Sequence, residues 1–582
     1  MSAPREEYTR RIARWDEAIA RGSRRHLLIS NLRLVVAVVA ALAAWLVFFR
    51  NAAPAVAFVI PVVAFLGLMI VHALVLQQNE RAARAKRLYL RGLDRIEGRW
   101  PGAGPDGARF AAGHPYAGDL DLFGPGSLFQ LLSVARTEAG EETLADWLRA
   151  PANIDEVQAR QAAVEELRTR LDFREDLAVL AAEAHVGRTA GLASWARMPS
   201  LGLPAFAGGL FLVFALGTAA LIVLAFTGAV APGLAMLWLL AQAGTVAVWR
   251  RRIDEAIHRI ETPSLDIRLL TALLARVERE RFESPRLAAI HARLVRAGVP
   301  PSVRMKRLQS WVSALDSMHN PLFAPIGALL LVRSQCAVGI DRWHAAHAAS
   351  LASWLEAIGE LEALSSLASF AYERPENPFP ALVPGEPLLD AAGLAHPLIV
   401  DHVAVANDVR LGGDAPHVLL VSGSNMSGKS TLLRAIGCNV VLALAGAPVR
   451  AAAMRLAPMA IGATLRVEDS LQAGISRFYA EILRIRTVVD AARGPLPLLF
   501  LLDEILHGTN SHDRRIGADA IVRSLVQAGA IGLVTTHDLA LTDLVASLGA
   551  RAANVHFEDR IEDGRMVFDY RMRPGVVEHS NA

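Results

Sequence analysis

Lys429 and Ser430 sit inside Gly423-Ser424-Asn425-Met426-Ser427-Gly428-Lys429-Ser430-Thr431, a glycine-bounded loop. Its residue types suit a phosphate chain. The glycines let the backbone wrap an anion so that successive amides face it. Lys429 would bring a compact cation to the β- and γ-phosphates of a nucleotide, and Ser430 would bring a hydroxyl to magnesium. Lysine occurs elsewhere only at Lys86 and Lys306, in a chain whose basic residues are otherwise arginine. Two acids, Asp503 and Glu504, follow an apolar run at 498–502. Asp503 is suited to hold the magnesium shell, and Glu504 to polarise an attacking water. His537 follows a third run, 531–536, and is placed to sense a γ-phosphate. Glu504, Lys429 and His537 are thus the expected catalytic set, Ser430 and Asp503 the metal ligands, and ATP with Mg2+ the expected ligands.

Three strands must carry these groups. Residues 417–421 predict a buried strand that runs into the loop and then into a helix from near Leu432, the context this motif requires. Residues 498–502 are apolar on both faces, as in a central parallel strand. Residues 531–534 supply the third. The fold class expected here is an α/β P-loop domain over residues 386–582.

The remainder of the 582 residues is far more apolar than a soluble domain needs, with 53% hydrophobic residues overall and a mean hydropathy of +0.32. Residues 34–49 and 52–76 are nearly uncharged runs, and 201–249 carries no charge, with a Thr227, Gly228, Pro232, Gly233 break inside it. These predict two transmembrane helical hairpins, 34–77 and 201–249. Eight arginines precede Leu34, Arg81, Arg84, Lys86 and Arg87 follow the first pair, and Arg250, Arg251 and Arg252 follow the second. That asymmetry orients both termini toward the cytoplasm, at a bacterial-type inner (plasma) membrane. The competing readings are a cleaved signal ending near Ala55-Val56-Ala57 for the first run, and a buried helical pair for 201–249.

The segmentation that follows is an Arg-rich N-terminus 1–33, a linker 78–113, a helical core in two parts (114–200 and 250–385) and the nucleotide domain. Residues Trp354, Leu355, Ile358, Leu361, Leu364 and Leu367 recur at helical spacing and read as core. His344 and His347 lack a carboxylate or cysteine at metal-ligand spacing and read as a helix face. Cys336 and Cys438 read as inert buried thiols. The apolar stretch 320–332 is too short to span a bilayer and predicts a buried helix. A net charge of +3 gives little pull toward a polyanion.

The order of blocks resembles the MutS family of DNA mismatch repair ATPases. Those blocks are 422–431, Leu444-Ala445-Gly446-Ala447-Pro448-Val449, Ser476-Arg477-Phe478-Tyr479-Ala480-Glu481, Leu502-Asp503-Glu504 with Gly508-Thr509-Asn510, and Thr535-Thr536-His537. Upstream, Gly393-Leu394-Ala395-His396-Pro397 with Asn407-Asp408-Val409 is similar to that family's entry into the ATPase domain. Asp121-Leu122-Phe123-Gly124 and Arg160-Gln161-Ala162-Ala163-Val164 are similar to the start of its helical core. The resemblance implies an α/β P-loop ATPase domain of ABC type beside an all-α core and lever region, a homodimer through the ATPase domains, with 476–481 and 508–511 contributing to composite sites, and DNA as a partner. Several departures temper it. Residues 1–113 stand where the family has a mismatch-reading domain, and the 201–249 run interrupts the clamp region. Phe173-Arg174-Glu175 matches the Phe-x-Glu spacing of mismatch readers by coincidence. No endonuclease-like tail or C-terminal dimerisation segment is expected. The function expected is a membrane-anchored MutS-like ATPase coupled to DNA; the alternatives are an ABC-type motor for transport or envelope remodelling, and a nucleotide-dependent membrane scaffold.

Overall fold

The computed structural model describes residues 3–182, 190–226, 231–261, 264–295, 298–321, 323–466, 477–506, 511–537, 544–562 and 565–576. Their fold is mixed, with two β-sheets and many helices. The chain divides into two compact units, residues 1–103 with 372–374, and residues 104–371 with 375–582.

In the first unit two long helices, Ala3–Ala44 and Val56–Ile96, run antiparallel, and a π-helical turn, Trp45–Phe49, ends the first. Cross-helix pairs set their register: Arg5 with Glu97 at 2.7 Å, Asp16 with Lys86 at 2.6 Å, the rings of His26 and His72 at 4.8 Å, and those of Phe48 and Phe58 at 5.4 Å. Polar pairing is thus confined to one end. From Leu27 to Leu76 the large side chains turned outward are mostly leucine, valine, isoleucine and phenylalanine, with Trp45 and Met69, and Arg50 and Asn51 lie at the turn between the helices. An apolar exterior on paired helices is what a lipid environment selects and water does not.

The second unit holds a helical part and both sheets. Its helices start on side-chain caps where the sequence offers them: Thr137 accepts from the Gly140 amide and Asn153 from the Glu156 amide. Two further helices, Ala205–Phe226 and Pro232–Glu261, carry the second apolar run, and their ends around Ala207, Phe211 and Ile253 pack with Leu331, Ala337 and Val338. Four helices among the described residues are long and apolar enough to cross a membrane. Thr227 and Gly228 lie outside the described residues. The helix Val332–Glu373 buries Trp354, Leu355, Ile358, Leu361, Leu364 and Leu367, as their spacing predicts. His344 is buried with Nε2 2.9 Å from the Trp195 carbonyl, a core contact. Cys336 and Cys438 are buried thiols, and Phe173, Arg174 and Glu175 are buried in a short helix.

One expectation fails. The stretch 320–332 does not form a buried helix: among its described residues Ala324–Leu329 is a short helix and Val332 opens the next, and Phe323, Ile326 and Leu329 are exposed. The six residues of this helix are too few to enclose themselves: within it Gly327 is sunk, under Met318, and beyond it Leu331 is buried.

The strands are β1 (Ala381–Leu382), β2 (Leu388–Leu394), β3 (Asn407–Gly412), β4 (Val418–Ser422), β5 (Ala453–Leu456), β6 (Ala460–Thr464), β7 (Leu498–Asp503), β8 (Ile531–Thr536), β9 (Ala552–Glu562) and β10 (Arg565–Pro574). A small sheet has the order β1-β5-β2-β3, and the main sheet β10-β9-β4-β8-β7-β6. In the main sheet all neighbours are parallel except β9 and β10. The parallel strands are buried on both faces, which explains their unbroken apolar sequences. At Gly532 a Cβ would lie 2.1 Å from the Phe500 carbonyl oxygen, so only glycine lets β8 approach β7 at that point.

Candidate functional site

The C-terminal edge of the parallel strands gathers the chemistry. Residue Ser422 of β4 pairs with Thr536 of β8, and Thr535 pairs with Asp503 of β7, so the loop after β4, the acids after β7 and His537 after β8 emerge side by side. Open α/β sheets bind ligands at such an edge. The helix after the loop begins at Lys429, one turn earlier than the apolar pattern suggests, because Lys429 and Ser430 form its first turn and Gly428 stands just outside. A helix N-terminus that opens on such an edge attracts an anion.

Within the loop, Gly423 and Gly428 have φ of +147° and +105°. A Cβ on Gly423 would lie 2.9 Å from Ser427 Oγ, and one on Gly428 would lie 3.0 Å from the Tyr570 ring. Met426 sits at the loop tip with φ +69° and its side chain in solvent. Lys429 Nζ donates to the carbonyls of Gly423 at 2.8 Å and Ser424 at 2.9 Å, filling the inside of the loop. The buried hydroxyl oxygens of Ser424 and Ser427 have no hydrogen-bond partner among the described residues. Unpaired polar atoms in a buried cradle cost free energy unless a ligand or water meets them, and a phosphate is a ligand that would.

Glu504 faces Lys429, with Oε1 3.8 Å from Nζ, and its other neighbour is His537, whose Nδ1 lies 3.5 Å away. Burial lowers the Lys429 pKa, and the charges of Glu504 and Asp503 oppose that fall. Thr535 aligns both acids: its hydroxyl donates to Asp503 Oδ1 at 2.5 Å and accepts from the Glu504 amide at 3.0 Å. Glu504 has φ +45° and Leu506 φ +59°, left-handed values that non-glycine residues adopt at a cost. The buried carboxylate of Glu481 accepts from the Leu506 amide and holds this strained turn. Ser476 and Gly508, Thr509 and Asn510 lie outside the described residues.

A cavity of about 500 Å³ opens from the loop, a size typical of small-molecule sites. Asn425 through Thr431 form one wall with Glu504. The other is built from His396, Ile399, Val403, Val405, Phe557 and Tyr570. The sequence did not reveal that wall. Its only signals were the Gly393–Pro397 block and Asn407, whose side-chain amide donates to the Tyr570 carbonyl and whose oxygen accepts from the Met572 amide. That pair spans the register shift in the β9 and β10 ladder and aims Tyr570 at the loop.

Burial, then repulsion by Arg434 and Arg450, pushes the His396 imidazole down to about 4. An unfolded histidine takes up its proton near 6.5, so between these values the unfolded chain binds more protons than the folded one. The resulting stability is present above pH 6.5 and is lost as pH falls toward 4, by up to ~3 kcal/mol. Urea denaturation from pH 4.5 to 7 is expected to show that slope, and His396→Leu to flatten it. An identical slope in the variant would assign the acid sensitivity to other groups.

Residues 419–582 match the family model described as MutS domain V. Among curated proteins, the DNA mismatch repair protein MutS of Roseiflexus sp. (strain RS-1) is 31% identical over 199 residues, covering 33% of this chain and 18% of that protein. The MutS of Natronomonas pharaonis is 33% identical over 235 residues, 38% of this chain and 26% of that protein. The MutS of Geobacillus sp. (strain WCH70) is 33% identical over 238 residues, 40% of this chain and 27% of that protein. The chain thus spans about a fifth to a quarter of the length of the curated relatives it matches. The similarity to the MutS family thus lies in the C-terminal region, with residues 419–582 matching its domain V.

Proposed function

We propose that this protein is a membrane-anchored MutS-like ATPase that couples binding and hydrolysis of Mg-ATP to DNA at the cytoplasmic face of a bacterial-type inner membrane. The observation that carries the ATPase reading is the loop around Lys429, with its buried Ser424 and Ser427 hydroxyls, unpaired among the described residues, beside Glu504. In this reading residues 386–582 bind nucleotide, with 423–431 around the phosphates. Ser430 and Asp503 would hold magnesium, which supplies charge neutralisation when bound. Glu504 takes a proton from water while His537 and Thr535 fix its orientation. Lys429 leaves the loop carbonyls for a phosphate oxygen, an exchange its partial desolvation favours.

The membrane reading rests on the four long apolar helices and the arginine flanks, with 34–77 and 201–249 as hairpins. Dimerisation through the ATPase domains and a DNA partner follow from the family, whose curated members are named for DNA mismatch repair. The test is ATP hydrolysis by the full chain in lipid nanodiscs with duplex, mismatched and branched DNA over a range of salt. We expect magnesium-dependent turnover that DNA stimulates, with stimulation fading as salt rises. Turnover that no DNA alters or binds to at low salt would leave an ATPase without the DNA role.

A further inference from the structure

We propose that residues 323–331 form a re-entrant element that dips into the cytoplasmic leaflet and returns without crossing it, anchored by Gln242; this rests on the membrane reading above. Residues 317–332 contain no charged side chain. They link the helices Pro301–Ser317 and Val332–Glu373, and their short helix Ala324–Leu329 exposes Phe323 (37%), Ile326 (54%) and Leu329 (42%). In water such a face is unfavourable; acyl chains would cover it.

The second apolar pair sets the depth. Trp249 packs against Phe206 and Phe211 just before Arg250, Arg251 and Arg252, which marks the polar boundary. Gln242 lies seven residues earlier, about 10 Å further along the helix. It is buried, its Oε1 accepts from the Thr218 hydroxyl at 2.8 Å, and its amide donates to the Leu329 carbonyl at 2.9 Å. Leu329 therefore stands at hydrocarbon depth beside helices that have few other polar groups. On the return side, Arg333 meets Asp254 at 2.9 Å, back at the level of the arginines.

The carbonyls at the end of the short helix are satisfied within the protein. The Ile326 carbonyl accepts from the Leu330 amide at 3.0 Å, that of Ala328 from Leu331 at 3.2 Å, that of Leu330 from the Gln335 side chain at 2.8 Å, and that of Leu329 from Gln242. A surface turn would leave these to water. In hydrocarbon each unmet group costs several kcal/mol, and irregular backbone survives there only when every group is met. Leu331, at φ +54°, reverses the chain and plugs into the cluster of Ala207, Phe211, Ile253 and Val338.

Spin labels on single cysteines, with Cys336 and Cys438 replaced by alanine, test the idea in the full chain in phosphatidylcholine and phosphatidylglycerol nanodiscs. Labels at Ile326 and at Leu240, an outward residue of the second pair, are each challenged with oxygen and with a nickel chelate. We expect both to collide severalfold more with oxygen, and Gln242→Leu to raise nickel access at 326. A nickel-accessible 326 beside a lipid-facing 240 overturns the re-entrant element alone. Both sites open to nickel would remove the membrane reading itself. A label at 326 shielded from both reagents would mean that protein covers this face, and unchanged access in Gln242→Leu would remove the anchor; either result overturns the proposal as stated.

Discussion

Glu504→Gln is expected to lower magnesium-dependent ATP turnover by roughly 10²- to 10⁴-fold, the range general-base removal spans, while ATP remains bound. The reasoning starts from what glutamine keeps. Its amide is nearly isosteric, so the turn at φ +45°, the amide bond to Thr535 and the Glu481 clasp on Leu506 have no reason to move. What it loses is the proton acceptor and a negative charge 3.8 Å from Lys429. The second loss frees the ammonium for a phosphate, so affinity should hold or rise. Lys429→Ala is the complement: it removes the cation and the bonds that close the loop on the Gly423 and Ser424 carbonyls, and should abolish both binding and turnover. Phosphate release and equilibrium ATP binding separate the two outcomes. Wild-type turnover in both variants would reject this pocket as the catalytic one.

That pocket was legible because its information is local. The loop's glycines, Lys429, Ser430 and the acids after β7 are fixed within short stretches, and apolar runs buried on both faces announce the strands that carry them. The opposite wall was not legible. Tyr570 reaches the loop only because β10 slips register against β9 between Phe568 and Met572, and Val403 and Val405 sit in an irregular segment with no period to read. The stretch 320–332 misled for a related reason. Hydrophobicity tells that a segment leaves water, and a bilayer satisfies it as well as a core does. Likewise Glu362, whose carboxylate receives the Arg136 and Thr137 amides from more than 200 residues away, carries no mark in sequence. Pairings across that separation are set by packing alone.

The same blindness hides the pair behind the second large effect. Arg95→Ala is expected to destabilise the unit of residues 1–103 and 372–374 by about 3–5 kcal/mol, the cost of leaving a buried charge without its partner. Arg95 Nε and Nη2 donate to the two oxygens of Glu373 at 2.7 and 2.5 Å, and the side chains are only 10% and 2% exposed. Tyr8 adds a hydroxyl bond to the same carboxylate at 3.2 Å and packs between Tyr89 and Tyr372, with Gly92 leaving room for its ring. Exposed ion pairs are worth under about 1 kcal/mol, so the size of the loss discriminates between the two cases. Arg95→Met combined with Glu373→Leu is expected to recover most of the stability, because no orphan charge remains and similar volume is refilled. Urea denaturation of the detergent-solubilised chain, read on the tryptophans, measures both. A loss below about 1 kcal/mol for the single change would place the pair among ordinary surface bridges. A double variant as weak as the single one would instead assign the effect to the tyrosine packing.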